Sequence, residues 1–406
     1  MMQPFFVILV VMFSASYSYA EELSLKQLIE LAYSQNPELE SLQQKIQSTQ
    51  ESAKAKSALS DPMIGVSELK RGNTTRYWTV GQKIEFPTKY GLREDIQTSK
   101  ASSLVHALEQ KKLSLRAKII TAYYGIYAVQ KIKSLTLNDL DKIKEFSRIA
   151  ETKYAAGTAH MQDSMKAHFT QTQVEADLIA LRQEEDILQA KLAATLGKSP
   201  PFAINIGHKE LPVPKLTGTN FSQLSLEVEK SPSIKQKQEE LKGAKLENTL
   251  AKWQYAPDFQ FRYQGYLSGM PEDAQMITFE MSVPLWFWGK SADERATALN
   301  RSAKEYELTA VKQNLDADVA TFGSRVKNQS ELLDIFKTSL VPQAVTSFES
   351  SMDAYKANKI TFLELLDSER SLLKVQIASY RTLTQYIDSL TQLEASVGHT
   401  VSGLGN

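Results

Sequence analysis

Four short segments alternate apolar and polar residues with a period of two, which is typical of half-exposed β-strands. In DFQFRYQGYL (258–267), aromatic and aliphatic side chains alternate with Gln260, Arg262 and Gln264. MITFEMSV (276–283) alternates in the same way after the polar turn SGMPEDAQ. An earlier pair, MIGVSELKRG and RYWTVGQKIEF, shows the pattern less cleanly. We therefore predict two β-hairpins, at about 62–86 and about 258–284.

Long helical segments surround these hairpins. Residues 92–156 contain no proline and a single glycine, Gly125, and a helix of that length would be about 95 Å long. Near the C-terminus, Leu366, Leu373, Tyr380 and Ile387 recur every seven residues, which is coiled-coil spacing. A single compact domain cannot bury such rods, so we predict a bundle or tube of similarly long helices.

Matching blocks recur in the same order along the chain, which indicates an internal duplication. The paired blocks are FPTKYG (86–91) with VPLWFWG (283–289), KYAAGTAHMQD (153–163) with AYKANKITFLE (354–364), and LAATLG (192–197) with LEASVG (393–398). We predict a first repeat at 21–197, a proline-rich linker at 198–218, a second repeat at 219–398 and a tail at 399–406. Each repeat is expected to begin with one helix, from Ser24 to Ser60 and from Asn220 to Tyr255, because Ser24 and Asn220 are good N-caps.

The charged residues of the strands lie on the face opposite the aromatic residues, as in membrane-spanning barrel strands. Four strands cannot close a barrel, for which about eight is the practical minimum, and lipid does not tolerate unpaired strand edges. The strands therefore predict association of several copies, without fixing their number. All four tryptophans lie in or beside strands, and we predict that they form an aromatic girdle at the lipid headgroups; the alternative is packing between the sheet and the helices. These residues are Trp78, Trp253, Trp286 and Trp288.

Composition narrows the function further. The 406 residues include 47 basic and 47 acidic side chains, so the totals show no nucleic-acid footprint. The chain has no cysteine, which excludes disulfides, thiolate metal sites and cysteine nucleophiles. PFFVILVVMFSASYSYA (4–20) has an apolar core followed by Ser18 and Ala20 in a small-x-small pattern, so we predict a signal peptide at 1–20 and export, although no Lys or Arg precedes the core.

No motif predicts chemistry. The five histidines form no HxxxH pair, and no phosphate loop, GxSxG elbow or HExxH motif occurs. We predict that the chain is not an enzyme and binds no cofactor and no metal. The helices alone would also fit a non-channel periplasmic coiled-coil protein.

Taken together, the repeats, hairpins and strand–Pro–Gly–helix corners resemble the TolC family of outer-membrane efflux proteins over nearly the whole mature chain. VPLWFWGKSADERATA and AYKANKITFLELLDSERSLL carry the most specific likeness. The resemblance implies a mostly α fold with a small β part and a homotrimer. Its shared 12-stranded transmembrane barrel, four strands per protomer, would continue as a helical barrel in the periplasm of a Gram-negative cell. A periplasmic adaptor and an inner-membrane pump would be its partners, with metal ions or small toxic compounds as cargo; a type I protein-secretion duct is the alternative.

The resemblance also implies the positions of a gate and of two helical hairpin tips. The tips are expected at Gly157 and Asn358, because glycine and asparagine tolerate a left-handed turn best. Glu364 and Asp367 take the acidic positions of the family's tip motif, and three residues apart they share a helix face, so a threefold axis would make acidic rings of them. Asp163 and Leu363 complete the expected tip and adaptor contacts. In this chain Glu364 replaces an aspartate of the motif and Asn358 replaces its glycine.

Overall fold

One small antiparallel sheet and a set of very long helices make up the chain. The structure is a computed structural model that describes residues 24–71, 73–157, 160–199, 202–206, 210–214, 224, 226–268 and 275–404. The predicted signal peptide lies outside the described residues. In the first half the elements are α1 (Leu25–Gln35), α2 (Pro37–Ser57), β1 (Met63–Arg71), β2 (Asn73–Ile84), α3 (Pro87–Ala155) and α4 (Met161–Thr195). In the second half they are a short 3₁₀ turn (Val228–Lys230), α5 (Pro232–Trp253), β3 (Phe259–Ser268), β4 (Gln275–Met281), α6 (Phe287–Ile335), a π-helical turn (Phe336–Leu340), α7 (Val341–Lys356) and α8 (Phe362–Val397).

The prediction of one unbroken helix at the start of each half is wrong. Ser24 does cap α1, in a capping box with Gln27, but that helix stops at Asn36 because the ring of Pro37 keeps the preceding residue out of the helical region. Asn36 is extended, and its side chain accepts hydrogen bonds from the backbone N–H groups of Glu38 and Leu39, so α2 starts with its own cap.

Ser231 and Pro232 make the corresponding break in the second half, where Ser231 is extended and caps α5. The helix start predicted at Asn220 lies outside the described residues.

The four strands form one sheet in the order β1-β2-β3-β4, with every neighbouring pair antiparallel. The register places Val66 opposite Trp78, Trp78 opposite Gly265, and Phe261 opposite Phe279. Apolar residues thus share one face, as their alternation predicts. The irregular β1 pairs with β2 along its whole length, and β4 ends at Met281, two residues before the predicted end at Val283.

Helices α3 and α6 are the rods that extend from this sheet. The 69 residues of α3 give a length of about 100 Å. It begins at Pro87, five residues before the predicted Leu92, because a proline in the first turn has no N–H to leave unsatisfied. In the second half the rod runs from α6 through the π-helical turn into α7, whose second residue is Pro342. Such π-helical turns absorb local irregularity without ending the helix.

None of the described helices contains a stretch of residues apolar enough to cross a membrane.

The predicted linker packs against the helices at residues 202–206 and 210–214, which make up most of its described part. Gln189 donates to the carbonyl of Ile204 at 2.7 Å and accepts from its N–H at 3.1 Å. The hydroxyl of Tyr124 donates to the carbonyl of Pro212 at 2.9 Å. This segment therefore lies across the middle of the rods and hydrogen-bonds to their buried polar groups.

A buried ion pair fastens the C-terminal tail to the core. Arg116 of α3 donates to Glu394 of α8 at 2.7 Å and to the carbonyl of Leu404, and Arg116 and Glu394 are 6% and 2% exposed. The other oxygen of Glu394 accepts from the N–H groups of Val401 and Ser402 and from the Ser402 hydroxyl. The tail thus completes the hydrogen bonding of a buried carboxylate.

We predict that Arg116→Ala lowers the free energy of unfolding by about 3–5 kcal/mol, because it leaves the Glu394 carboxylate buried without its cation. Urea unfolding followed by helical circular dichroism measures the change. Arg301→Ala, which breaks the exposed Arg301–Glu305 pair on α6, is the control and should cost less than about 1 kcal/mol. Equal effects of the two substitutions would contradict the role assigned to the buried pair.

Candidate functional site: a pore wall, an aromatic corner and two helical tips

The two faces of the sheet differ sharply in chemistry. On one face, Ile64, Val66 and Ile277 are 80%, 71% and 78% exposed. On the opposite face, Arg262 forms a 3.0 Å ion pair with Glu280, and Gln264 donates to the hydroxyl of Thr79 at 3.2 Å. An apolar outer surface with a polar, hydrogen-bonded inner surface is the wall of a transmembrane β-barrel.

Both long edges of this wall lack a partner strand within the described chain. Strand β1 pairs only with β2, and β4 pairs only with β3. Unpaired backbone groups cannot face lipid, where each costs several kcal/mol. The sheet is therefore incomplete as a membrane-spanning structure.

The aromatic residues gather mainly where the strands meet the helices. Trp286, Phe287 and Trp288 are each about two-thirds exposed (66%, 64% and 64%), and the two indole rings lie 6.1 Å apart. Trp253 behaves differently, because it stacks on Phe86 with ring centroids 5.1 Å apart. Among the tryptophans at this corner, Trp286 and Trp288 are the ones whose rings are exposed and could meet a headgroup layer.

Trp78 lies away from that corner. It lies in the middle of β2, six residues before Ile84, which is a distance of about 20 Å. Its ring packs against Tyr263 at 5.2 Å and covers Gly265. A Cβ at Gly265 would lie 2.4 Å from the indole nitrogen, so glycine is required there. The structure therefore separates Trp78 from the other three tryptophans predicted for one girdle.

A buried ion pair joins the corner of the first half to the strand of the second. Lys89 in the first turn of α3 is 1% exposed. Its ammonium group donates to the Asp258 carboxylate at 2.7 Å and to the carbonyl of Ala256 at 3.1 Å. Asp258 also accepts from the N–H of Phe86 at 3.3 Å. The start of α3 and the start of β3 therefore hold fixed positions relative to each other.

The helical hairpins turn at the two predicted tip residues. Gly157 has φ +70° and Asn358 has φ +57°, so both are left-handed. The side chain of Asn358 accepts a hydrogen bond from Lys153 at 2.8 Å, and the same ammonium group lies 4.1 Å from the ring centre of Tyr355. The tip of the first hairpin thus contacts the tip of the second.

A shared apolar core supports the two tips. It contains Phe146 and Ala150 of α3, Ala167 of α4, Phe348 and Tyr355 of α7, and Phe362, Leu365, Leu366 and Leu372 of α8. The predicted contact residues surround it: Asp163 is half-buried in the first turn of α4 and Leu363 is 59% exposed. Burial, together with the Asp163 carboxylate, raises the pKa of Tyr355.

Glu364 and Asp367 are both exposed on α8, three residues apart, and so they share one helix face. Glu364 has a second role that was not predicted. Its carboxylate accepts from the N–H and the hydroxyl of Thr361 at 2.7 and 2.9 Å, while Thr361 accepts from the N–H of Glu364. Hydrogen bonds from the Thr361 backbone and then from its hydroxyl lower the pKa of Glu364. The signal in the sequence is the T-x-x-E spacing of a capping box.

Sequence reasoning also missed a pair of buried carboxyl groups near the tips. Asp139 of α3 and Glu369 of α8 are 2% and 1% exposed. Glu369 stands three residues from both Leu366 and Leu372, which are buried. An acidic residue among the apolar positions of a heptad helix is therefore the feature of the sequence that indicated a buried carboxyl group. Within the described residues, no group of three or more His, Asp or Glu side chains is placed to hold a metal ion.

Comparison with known families matches this arrangement. The model of a family described as outer membrane efflux protein matches residues 28–198 and again residues 224–399. The chain belongs to the outer membrane efflux protein family. The predicted fold class, outer-membrane location and efflux function are therefore confirmed at the level of the family.

Relatives of this efflux protein include a curated protein and solved channels. The chain is 21% identical over 390 residues to the cobalt-zinc-cadmium resistance protein CzcC of Cupriavidus metallidurans, covering 93% of this chain and 91% of that one. The outer membrane protein VceC of Vibrio cholerae has the same fold with a TM-score of 0.79 at 17% identity, over 93% of this chain and 96% of the other. The open state of the MtrE outer membrane channel of Neisseria gonorrhoeae gives a TM-score of 0.77 at 17% identity, over 93% and 89%.

Membership of this family assigns the parts of the efflux protein to places in the cell. The sheet, with its apolar face, is the part that meets the outer membrane, and the long helices extend from it into the periplasm. The hairpin tips stand at the far end of those helices, away from the sheet.

Proposed function

We propose that the efflux protein is a passive, gated duct that assembles as a homotrimer. Three copies of the four-stranded sheet would give a shared barrel of twelve strands, with β4 of each copy pairing with β1 of the next. The observation that carries this proposal is the sheet itself, with its exposed apolar face and two unpartnered edges. Association satisfies the edges without adding any new element.

We further propose that the duct receives metal ions from an inner-membrane pump through a periplasmic adaptor. Similarity to a cobalt-zinc-cadmium resistance protein over more than nine-tenths of both chains supports this class of cargo. Export of other small toxic compounds and type I protein secretion are the competing assignments. The duct itself performs no catalysis, because a conduit only has to shape and gate a pore.

The tips supply the gate and the adaptor contacts in this proposal. Glu364 and Asp367 would form two rings of negative charge around the threefold axis, which favour cations and repel anions. Gly157, Asp163, Asn358 and Leu363 lie on or beside the two turns, where an adaptor would meet the helical end. Trp286 and Trp288 would anchor the sheet at the inner headgroup layer, while Trp253 packs inside the corner.

The shared barrel predicts contact between β4 and β1 of different copies, and the cysteine-free chain makes disulfide mapping direct. We expect Phe279→Cys to cross-link with one partner among Ile64→Cys, Val66→Cys and Glu68→Cys, which lie on one face of β1. Non-reducing gels of the double variants would then show covalent trimers. Ser67→Cys, on the opposite face, is the control and should not cross-link. A water-soluble monomer without any cross-link would refute the shared barrel.

The proposed cargo predicts a metal phenotype. Cells that lack the duct but keep its pump and adaptor should become sensitive to cobalt, zinc or cadmium, with at least a tenfold fall in the concentration that stops growth. Restoring the full-length chain should restore resistance. Unchanged metal tolerance together with loss of a secreted protein would instead favour type I secretion.

The acidic rings predict cation selectivity. Glu364→Gln combined with Asp367→Asn removes both charges but keeps the cap of α8, since glutamine serves at that position of a capping box. We expect the variant to lose most of its cation preference, measured as the reversal potential across a salt gradient in planar bilayers. Asp141→Asn with Glu145→Gln, an exposed pair on α3, is the charge-matched control. If both double variants keep the wild-type potential, Glu364 and Asp367 do not form the selective ring.

A further inference from the structure

Near the tips, Asp139 of α3 and Glu369 of α8 bring two acids together inside the helical packing. Asp139 belongs to the hairpin of α3 and α4, whereas Glu369 belongs to the hairpin of α7 and α8. Both side chains are almost fully buried, at 2% and 1% exposure. The pair therefore lies at the contact between the two hairpins.

Each acid has one oxygen that no donor reaches. The Asp139 Oδ1 and the Glu369 Oε2 are buried and accept no hydrogen bond from any N–H or O–H group of the described residues. The two carboxyl groups are nevertheless hydrogen-bonding neighbours. Two ionised carboxylates have no donor between them, and a proton on one of the two acids would supply it.

We propose that Asp139 and Glu369 form a buried proton-binding site that fastens the two helical hairpins of each protomer together. With the proton on Glu369, its carboxylic acid donates to the ionised Asp139. Without the proton, two negative charges lie side by side in a site that excludes water, and they repel each other. The ligand of the site is a single proton from the periplasmic solution.

The surrounding charges balance one negative charge better than two. Lys142 of α3 places its ammonium group 4.0 Å from the Glu369 Oε1 and over the ring of Phe348 of α7 at 4.8 Å. Arg370 of α8 is the second cation, but its guanidinium group donates to Thr170 and Gln173 of α4 at 3.2 Å each. Lys142 and Arg370, which lie on the two helices that carry the pair, are the charged groups that act on it.

Electrostatics agrees with this geometry. Burial first, and then the hydrogen bond and charge of Asp139, raise the pKa of Glu369 to about 9 against the opposing effects of Lys142 and Arg370. Burial also raises the pKa of Asp139. The packed hairpins thus hold a proton at a pH where a solvated glutamate, with a pKa near 4.5, has lost it.

The sign of the pH effect follows by linkage. Because the packed form binds the proton more tightly than a separated form, low pH favours packing. As pH rises from about 4.5 to about 9, the equilibrium constant for separating the two hairpins increases by at most about tenfold per pH unit for each Asp139–Glu369 pair. Above that range the constant no longer changes with pH. If the tips are the gate, as proposed above, the open fraction of the duct rises over the same range.

The proton itself is tested on the full-length chain in detergent by infrared spectroscopy, independently of any channel function. We expect the carbonyl stretch of a protonated carboxylic acid in the wild type at pH 7, its loss as the pH rises through about 9, and its absence in Glu369→Gln. That variant replaces the acid with a neutral donor of similar shape, so the contact with Asp139 is kept. Glu145→Gln, at an exposed site on α3, should retain the band. A band that persists in Glu369→Gln, or none in the wild type, would overturn the proposal.

The mechanical role is tested by single-channel recording between pH 5 and pH 10. The wild type should open progressively more often as pH rises, while Glu369→Gln should show an open fraction that is independent of pH through this range. The exposed-site variant should follow the wild type. A Glu369→Gln channel as pH-dependent as the wild type would refute the fastening role. Absence of conducting channels in every variant would instead count against the proposed duct, and the infrared result would still decide the proton site.

Discussion

Hydrogen bonding of the strand backbone in lipid is the constraint on which the rest of the structure depends. Four strands satisfy one another internally, but the outer edges of β1 and β4 have no partner within the described chain. The exposed apolar face of the sheet is stable only against hydrocarbon, where open edges are excluded. Assembly is therefore a condition for the fold of the sheet in a membrane. This constraint explains why so much of the chain's apolar surface is exposed in one copy.

The remaining structure connects this wall rigidly to a distant end. The Lys89–Asp258 pair fixes the start of α3, the first long helix, to the strands of the other half. From there α3 extends as one continuous helix for about 100 Å to the tips. At the far end, Lys153 joins the tips, and Asp139 meets Glu369 a few turns away. All three links join the first half of the chain to the second. Movement at the tips is thus movement of one half against the other.

Much of this architecture could be predicted from the sequence, because its signals are local and periodic. Alternation in β3 and β4 marks the strands and their faces, and left-handed residues mark both tips. The breaks at Asn36 and Ser231 were missed because apolar periodicity continued across them, although the prolines that follow carried the signal. Strand β1 alternates poorly in sequence, yet it lies within the predicted first hairpin, because pairing with β2 supplies what its own pattern lacks.

The functional residues were harder to predict, because their roles depend on contacts between distant segments. Asp139 and Glu369 are 230 positions apart in the numbering of the chain, and nothing local to either shows that they meet. Trp253 and Trp286 look alike in sequence, yet one stacks on Phe86 and the other is open to its surroundings. Glu364 is both an exposed charge and part of the cap of α8. In the sequence, only the threonine three residues earlier, Thr361, indicates the capping role.

The two halves have the same order of elements, so each chain contributes two hairpins. This lowers the number of chains that must associate to close the shared barrel. A chain carrying one hairpin would contribute two strands, so six separate chains would be needed for twelve. Covalent fusion reduces that encounter to three, because half of the contacts between units are made within one molecule at the high effective concentration that a tether provides. The two halves can also differ in sequence, so that the contact within one chain need not be the same as the contact between chains. In a ring of six identical chains, all contacts would have to be the same.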